Sequence, residues 1–133
     1  MIYKADLHIH SKKSFDGRMS VSEIIEKAKS KGLNAIAITD HDGFFDGEAE
    51  SIEIIRGCEF STEYGHLLGL FMTEPIVEKD FYKIVSGVHE QGGIVVLAHP
   101  YQRRNMEEKV ESIAHLIDGV EGFNSRAAKK NKE

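Results

Sequence analysis

Hydrophobic and polar positions alternate along the first third of the chain in blocks that predict strands separated by a helix. Residues 3–10 alternate polar and apolar side chains, the two-residue period of a half-buried strand. A helix is predicted next, because apolar residues recur at helical spacing between Ser20, which can cap its start, and Gly32, which ends it. Residues 35–39 form a compact apolar run, typical of a strand buried on both faces.

The rest of the chain continues this pattern. Residues 51–59 and 66–71 predict two strands that a turn through Tyr64 and Gly65 joins into a hairpin. The following blocks predict a helix over 78–91, a strand over 94–98, a helix over 107–116, a strand over 119–124 and the start of a helix after Ser125. We therefore expect an α/β protein with right-handed crossovers between mainly parallel strands.

Composition supports one domain over residues 1–133 and adds few constraints. Hydrophobic residues make up 41% and charged residues 29%, as in ordinary globular proteins. The net charge of −5 argues weakly against an extended nucleic-acid-binding surface. No apolar run approaches the roughly 20 residues that cross a membrane. No signal peptide is recognisable, and the lone Cys58 indicates a buried residue in a reducing compartment, so we expect a cytoplasmic protein.

Side chains that bind metal ions recur where predicted strands end, the edge at which α/β sheets hold ligands. They are His8, His10, Asp40, His41, Glu59, His99, Glu121 and Asn124. His8 and His10 share one strand face about 7 Å apart, where Asp6 could orient an imidazole. Asp40 and Asp42 are interpreted as turn residues or as supports for the ligands.

Three other histidines occupy different settings in the predicted elements. His66 opens a strand and could face Glu59 across the hairpin, or it could be exposed beside the turn. His89 and His115 lie in predicted helices without a convergent partner, so we expect them to be structural or exposed to solvent.

The mixture of imidazole and carboxylate favours zinc, manganese or iron over calcium. Such ions activate water for hydrolysis, and a pair about 3.5–4 Å apart can stabilise phosphoryl transfer. The sequence has neither the nucleophile elbow of serine hydrolases nor a phosphate-binding loop ending in Lys-Ser or Lys-Thr. We therefore predict a hydrolase in which metal-activated water is the nucleophile.

Six short motifs, in this order and spacing, resemble the polymerase and histidinol phosphatase (PHP) superfamily. The six motifs are Asp6-Leu7-His8-Ile9-His10-Ser11, Phe15-Asp16-Gly17, Thr39-Asp40-His41-Asp42, Gly57-Cys58-Glu59, Ala98-His99-Pro100 and Glu121-Gly122-Phe123-Asn124. The resemblance implies a distorted (β/α)7 barrel, similar to a TIM barrel, with two or three divalent ions at the carboxyl ends of its strands. It also implies phosphomonoesterase or phosphodiesterase activity.

The resemblance implies a ligand set as well. His8, His10 and Glu59 would hold one ion, Asp16 and His41 a second, and Glu59 with His66 and His99 a third. The family usually adds a later Gly-Ser-Asp-x-His motif, and no Asp-x-His follows His99 in this chain. We expect that the chain is a piece of a longer protein whose barrel is incomplete here. The alternatives are completion by a second chain, for which an unfinished barrel would favour self-association, or a site with fewer ions.

The expected substrate is a small phosphate ester or a nucleotide, with nucleic acid not favoured. Arg103, Arg104 and Arg126 lie in or near loops that should surround the site, where guanidinium groups could bind phosphate oxygens. Two other functions stay open. One is metal-dependent C–N hydrolysis, which similar ligand sets support. The other is a non-catalytic metal-binding or partner-binding module.

Overall fold

A computed structural model describes residues 1–100 and 106–124 of the chain. Its elements in chain order are β1 (Ala5–Ile9), α1 (Val21–Ser30), β2 (Ala35–Ile38), β3 (Glu53–Thr62), β4 (Gly65–Leu70), α2 (Phe81–Glu90), β5 (Ile94–Leu97), α3 (Glu107–Ile113) and β6 (Gly119–Val120). Strands and helices thus follow one another largely in the predicted order. The mixed α/β class is confirmed.

The strands form one six-stranded sheet in the order β1-β2-β3-β4-β5-β6, which curls into a half-barrel. The expectation of mainly parallel strands is confirmed, and the exception is β4, which is antiparallel to both β3 and β5. The reason is the predicted hairpin: the tight turn between Thr62 and Gly65 must reverse the chain, and Gly65 supplies a φ of 110°. The other three pairings are parallel.

Several predicted boundaries shift. β1 starts at Ala5, α2 starts at Phe81 after an Asp80 cap, and α3 ends at Ile113 rather than at residue 116. β3 runs on to Thr62, because the hairpin pairs it with β4 as far as Gly65. β6 ends at Val120 instead of residue 124, because its partner β5 already ends at Leu97. The helix predicted after Ser125 lies outside the described residues.

Strand β2 shows how the core is divided. Ala35 and Ala37 pack with Leu68 and Leu70, whereas Ile36 and Ile38 pack with Ile24 and Ala28 of α1 on the opposite face. All four β2 residues are buried, as the apolar run predicted. Helix α2 covers the far side of β4 and β5 through Phe81, Ile84 and Val88. The helices therefore lie on one side of the sheet and leave its concave face for the polar residues at the strand ends.

Within the two described ranges, no helix has the length and apolar character needed to span a bilayer.

Candidate metal centre

Glu59 is the central residue of the cluster. Alternation along β3 places Ile55, Gly57 and Glu59 on the concave face, and the Glu59 side chain is fully buried. The backbone fixes this position, because the Glu59 N–H donates to the Asp40 carbonyl and the Asp42 N–H donates to the Glu59 carbonyl. A carboxylate is thus held in the interior, where an uncompensated charge would be costly.

Five imidazoles surround this one carboxylate. Oε2 of Glu59 lies 3.0 Å from His8 Nε2, contacts His10 Nε2, and lies 3.8 Å from His41 Nδ1. Oε1 lies 2.9 Å from His66 Nδ1 and 3.3 Å from His99 Nε2. The predicted metal-binding histidines therefore converge on the predicted carboxylate.

Asp16 forms the second carboxylate of the cluster. Its Oδ1 lies 2.8 Å from His10 Nδ1, and its Oδ2 lies 3.2 Å from His41 Nε2. The neighbouring Phe15 stacks on the His41 ring, with centroids 4.9 Å apart and planes 16° apart, although the Phe15 side chain is 89% exposed. An aromatic ring therefore lies in solvent directly beside the ligand cluster.

The buried Asp40 carboxylate holds the two ligand-bearing loops together. It accepts hydrogen bonds from the Ser11 backbone N–H, the Ser11 hydroxyl and the Ser14 hydroxyl, each at 2.7 Å. The Ser14 oxygen in turn accepts the His41 N–H at 3.0 Å. This network joins the loop that carries Asp16 to the segment after β2 that carries His41.

His66 reaches the cluster because β4 runs in the reverse direction. Its amino end lies at the edge where the parallel strands have their carboxyl ends, and Ser61 of β3 pairs with His66. Although His66 Nδ1 is 2.9 Å from Glu59 Oε1, it is buried without a hydrogen-bond partner. A buried imidazole nitrogen facing a carboxylate in this way is the arrangement that a bound cation would satisfy.

Glu121, a strand-end residue outside the seven predicted ligands, connects two of the histidines. Its Oε2 lies 2.6 Å from His8 Nδ1, and its Oε1 accepts the His99 backbone N–H at 3.1 Å. His99 has a φ of 30°, a positive value that is uncommon for residues other than glycine, and Pro100 follows it. Because β6 is parallel to β5, the position of Glu121 directly after β6 was the available signal.

The donor set fits divalent metal ions. An ionised carboxylate only accepts hydrogen bonds, so every imidazole nitrogen that faces Glu59 must carry a proton or share a cation with it. Three groups of described side chains bring one ligand atom each to within 4.8 Å of one another: His8, Glu59 and His99; His10, Asp16 and His41; and His41, Glu59 and His66. These groups contain all seven predicted ligands but divide them differently from the assignment that the resemblance implied.

The electrostatics of the metal-free cluster follow from the same contacts. Burial lowers the pKa of His8, but its hydrogen bonds to Glu121 and Glu59 outweigh burial and raise that pKa to about 9. Burial raises the pKa of Glu59, but the contacts with His10 and the other imidazoles outweigh it and hold that pKa far below its usual range. The buried His8 imidazole and the Glu59 carboxylate therefore stabilise each other's charged forms.

Other predictions for individual residues had mixed outcomes. Asp6 was expected to orient an imidazole, but its carboxylate instead accepts the backbone N–H of His8 at 3.2 Å, and Glu121 contacts the ring. His89 lies away from the cluster and contacts Asp118, as a structural histidine should. Cys58 is buried, as predicted. Arg103, Arg104 and Arg126 lie outside the described residues.

A sequence profile of the PHP domain matches residues 6–131. The chain belongs to the PHP family. The resemblance drawn from the six motifs is thus confirmed.

Curated relatives of this PHP chain include the uncharacterized protein MJ1587 of Methanocaldococcus jannaschii. That protein is 34% identical over 142 residues, which cover 92% of this chain and 82% of MJ1587. The error-prone DNA polymerase of Nocardia farcinica is 38% identical over 84 residues, which cover 62% of this chain but 7% of the polymerase. This PHP chain therefore matches a small part of a much longer enzyme.

Solved structures share the fold. A two-domain protein from Bacteroides vulgatus, described as containing a predicted PHP-like metal-dependent phosphoesterase, superposes with a TM-score of 0.70 at 21% identity over 89% of this chain and 43% of that one. An amidohydrolase from Chromobacterium violaceum gives a TM-score of 0.69 at 16% identity, covering 96% of this chain and 81% of that one. At such identities the likeness establishes the architecture alone.

Proposed function

We propose that this PHP chain is a metal-dependent hydrolase of phosphate esters, acting on a small phosphomonoester or on a nucleotide phosphodiester. The observation that carries the proposal is the buried Glu59, whose two oxygens face five imidazoles. Such a set can hold neighbouring divalent ions, for which we propose zinc, manganese or iron. Bound there, the ions would supply a water of near-neutral pKa and would offset the charge of a phosphate group.

The roles of the protein's own residues follow from their contacts. Glu59 offers one oxygen to His8 and His10 and the other to His66 and His99, so we assign it as a bridge between ion positions. Asp16 spans His10 and His41 in the same way at the rim of the site. We propose all seven predicted residues as ligands: His8, His10, Asp16, His41, Glu59, His66 and His99.

We also propose that the curled sheet is part of a distorted (β/α)7 barrel. The support is the contact between His8, at β1, and Glu121, after β6, because it brings together side chains from the two end strands of the sheet. An experimental structure of the intact gene product should show a further strand between β1 and β6. A sheet that stays open between them would contradict the proposal.

The substrate side of the proposal is tested with a panel of compounds. The intact gene product, loaded with zinc or manganese, is assayed on phosphomonoesters, cyclic and linear phosphodiesters and amides. Nucleotides are paired with esters that lack a base, because Phe15 offers an exposed aromatic face beside the ligands. Turnover of phosphate esters is the expected result. Turnover confined to amides would instead support C–N hydrolysis, and no turnover with metal bound would favour a binding module.

The ligand side is tested by substitution. His10→Ala should lower kcat/KM by about 100-fold or more and reduce the bound metal, because it removes a group facing both carboxylates. His89→Ala is the matched control, since His89 contacts Asp118 outside the cluster. Equal metal content and activity in His10→Ala and the wild type would contradict the proposed site.

A further inference from the structure

Glu121 contacts both histidines of one metal-binding group without belonging to that group. The group consists of His8, Glu59 and His99, whose ligand atoms lie within 4.8 Å of one another. Glu121 approaches His8 through the ring nitrogen opposite the one that faces Glu59. It approaches His99 through the backbone and not through the ring. The Glu121 carboxylate therefore contacts the two histidines at atoms other than the ring nitrogens that face Glu59.

The contact with His8 fixes both the direction and the proton pattern of the ring. The contacts of Nδ1 with the Glu121 carboxylate and of Nε2 with the Glu59 carboxylate leave the imidazole a single orientation. An ionised carboxylate can only accept, so Nδ1 must donate its N–H to Glu121. When Nδ1 holds the proton, Nε2 is the nitrogen whose lone pair can bind an ion beside Glu59.

The contact with His99 acts on the backbone. The φ of 30° is unfavourable for a residue with a side chain and has to be held by its surroundings. The hydrogen bond from the His99 N–H to Glu121 Oε1 is one such restraint, and Asn124 Nδ2 donates to the same oxygen at 2.9 Å. With the backbone in this conformation, His99 Nε2 lies 3.3 Å from Glu59 Oε1.

We propose that Glu121 is a positioning residue that prepares His8 and His99 to bind one ion together with Glu59. The inference rests on the proposed metal centre. It goes beyond that centre by making the affinity of one ion position depend on a residue that does not itself bind the ion.

The chain offers a matched control at the other end of the same strands. Asp118 likewise uses one carboxylate to accept a backbone N–H, from Val95 at 2.8 Å, and to contact a histidine, His89, at 2.7 Å. Asp118→Asn therefore removes the charge from an equivalent pair of contacts that lies outside the cluster. Comparing the variants at these two carboxylates separates metal positioning from general stabilisation.

The first test is a titration of the intact, metal-stripped gene product with zinc alone, in competition with a chelator. Glu121→Gln and Glu121→Ala should weaken binding of one equivalent of zinc by about 10- to 100-fold, the alanine variant more strongly. Asp118→Asn should bind zinc as the wild type does. Equal affinity in the Glu121 variants and in Asp118→Asn would overturn the proposal.

A second test needs no metal. The His99 amide should exchange slowly with solvent deuterium in the metal-free wild type and in Asp118→Asn, and faster in Glu121→Ala. Unchanged exchange in Glu121→Ala would show that Glu121 does not hold His99. A wild type that binds no zinc would refute the metal centre itself, so the two failures are distinguishable.

Discussion

Cys58 lies next to Glu59 along β3 but faces the opposite side of the sheet, among Phe60, Phe81 and Ile84. Burial, together with the nearby carboxylates of Asp42 and Glu59, raises the pKa of its thiol to about 12. Because the thiolate is the reactive form, we predict no labelling of the native protein by a thiol reagent at pH 8. One equivalent should react after unfolding in guanidinium. Rapid stoichiometric labelling without denaturant would contradict this packing.

Asp40 supports a second prediction at the scale of the single residue. In Asp40→Asn, the amide oxygen can still accept from the Ser11 N–H and the Ser14 hydroxyl, and its NH₂ can donate to the Ser11 oxygen. Asp40→Ala instead leaves these buried groups unpaired, at a cost of about 1–3 kcal/mol. We expect the alanine variant to lose stability and metal affinity and the asparagine variant to retain most of both. Urea unfolding and zinc titration measure the two effects.

The candidate ligands that could be predicted from the sequence come shortly after buried strands. His41 and His99 belong to this class, because a polar residue after an apolar run marks the sheet edge. Glu121 was harder to assign, because its contact with His8 joins residues 113 positions apart and depends on how far the sheet curls. Asp16 was assigned only through the family resemblance, since an aspartate before glycine is ordinary in turns.

At the scale of the elements, Asp118 connects the end of α2 to the start of β5 through His89 and Val95. The Val95 N–H, and then His89, lower the pKa of Asp118 below its ordinary value of 3.8. A lowered carboxyl pKa means that this stabilisation is present above pH 3.8 and is lost as pH falls through the folded-state pKa. The side chain is 41% exposed, so its contribution should stay below about 1 kcal/mol.

The resulting prediction compares unfolding at two pH values. The free energy of unfolding of the wild type should exceed that of Asp118→Asn at pH 6, and the difference should shrink by pH 3. Urea titrations at both values measure it. A difference that grows on acidification would show that the ionised form of Asp118 is not the stabilising one.

The close packing of β3 against β4 leaves no room for a side chain at Gly57, which gives a prediction about stability. A Cβ added at Gly57 would lie 2.6 Å from the Gly69 carbonyl oxygen, which belongs to the paired strand. A backbone oxygen cannot move without disturbing that pairing, so Gly57→Ala should cost about 1–3 kcal/mol. At Gly119, also in a strand, the nearest atom to an added Cβ would be 3.7 Å away. Gly119→Ala should therefore leave the thermal midpoint unchanged or slightly raised.

The types of the elements followed from periodicity because each strand and helix has a distinct buried pattern. Strand β2, buried on both faces, and α2, with Phe81, Ile84 and Val88 on one face, are the clearest cases. The ends of elements depended on partners that periodicity does not reveal. β3 extends to Thr62 and β6 stops at Val120 because of the lengths of β4 and β5.

At the scale of the whole molecule, the cluster joins strands that are distant in sequence. Its candidate ligands come from the ends of β1, β2 and β5, from β3, and from the reversed β4. Ions bound among them would therefore stabilise the whole sheet and not one hairpin. Binding to the folded state alone adds about 2.7 kcal/mol at a free ion concentration 100 times Kd.

We therefore predict that zinc or manganese raises the thermal midpoint of the metal-stripped protein by several degrees, and that a chelator reverses the increase. Glu59→Gln should abolish most of this shift, because all five imidazoles face the Glu59 carboxylate. Glu111→Gln, a change of the same chemistry on the exposed side of α3, should keep the full shift. Equal metal-induced shifts in both variants would mean that the ions stabilise the protein elsewhere, and the assignment of Glu59 as their common ligand would then be wrong.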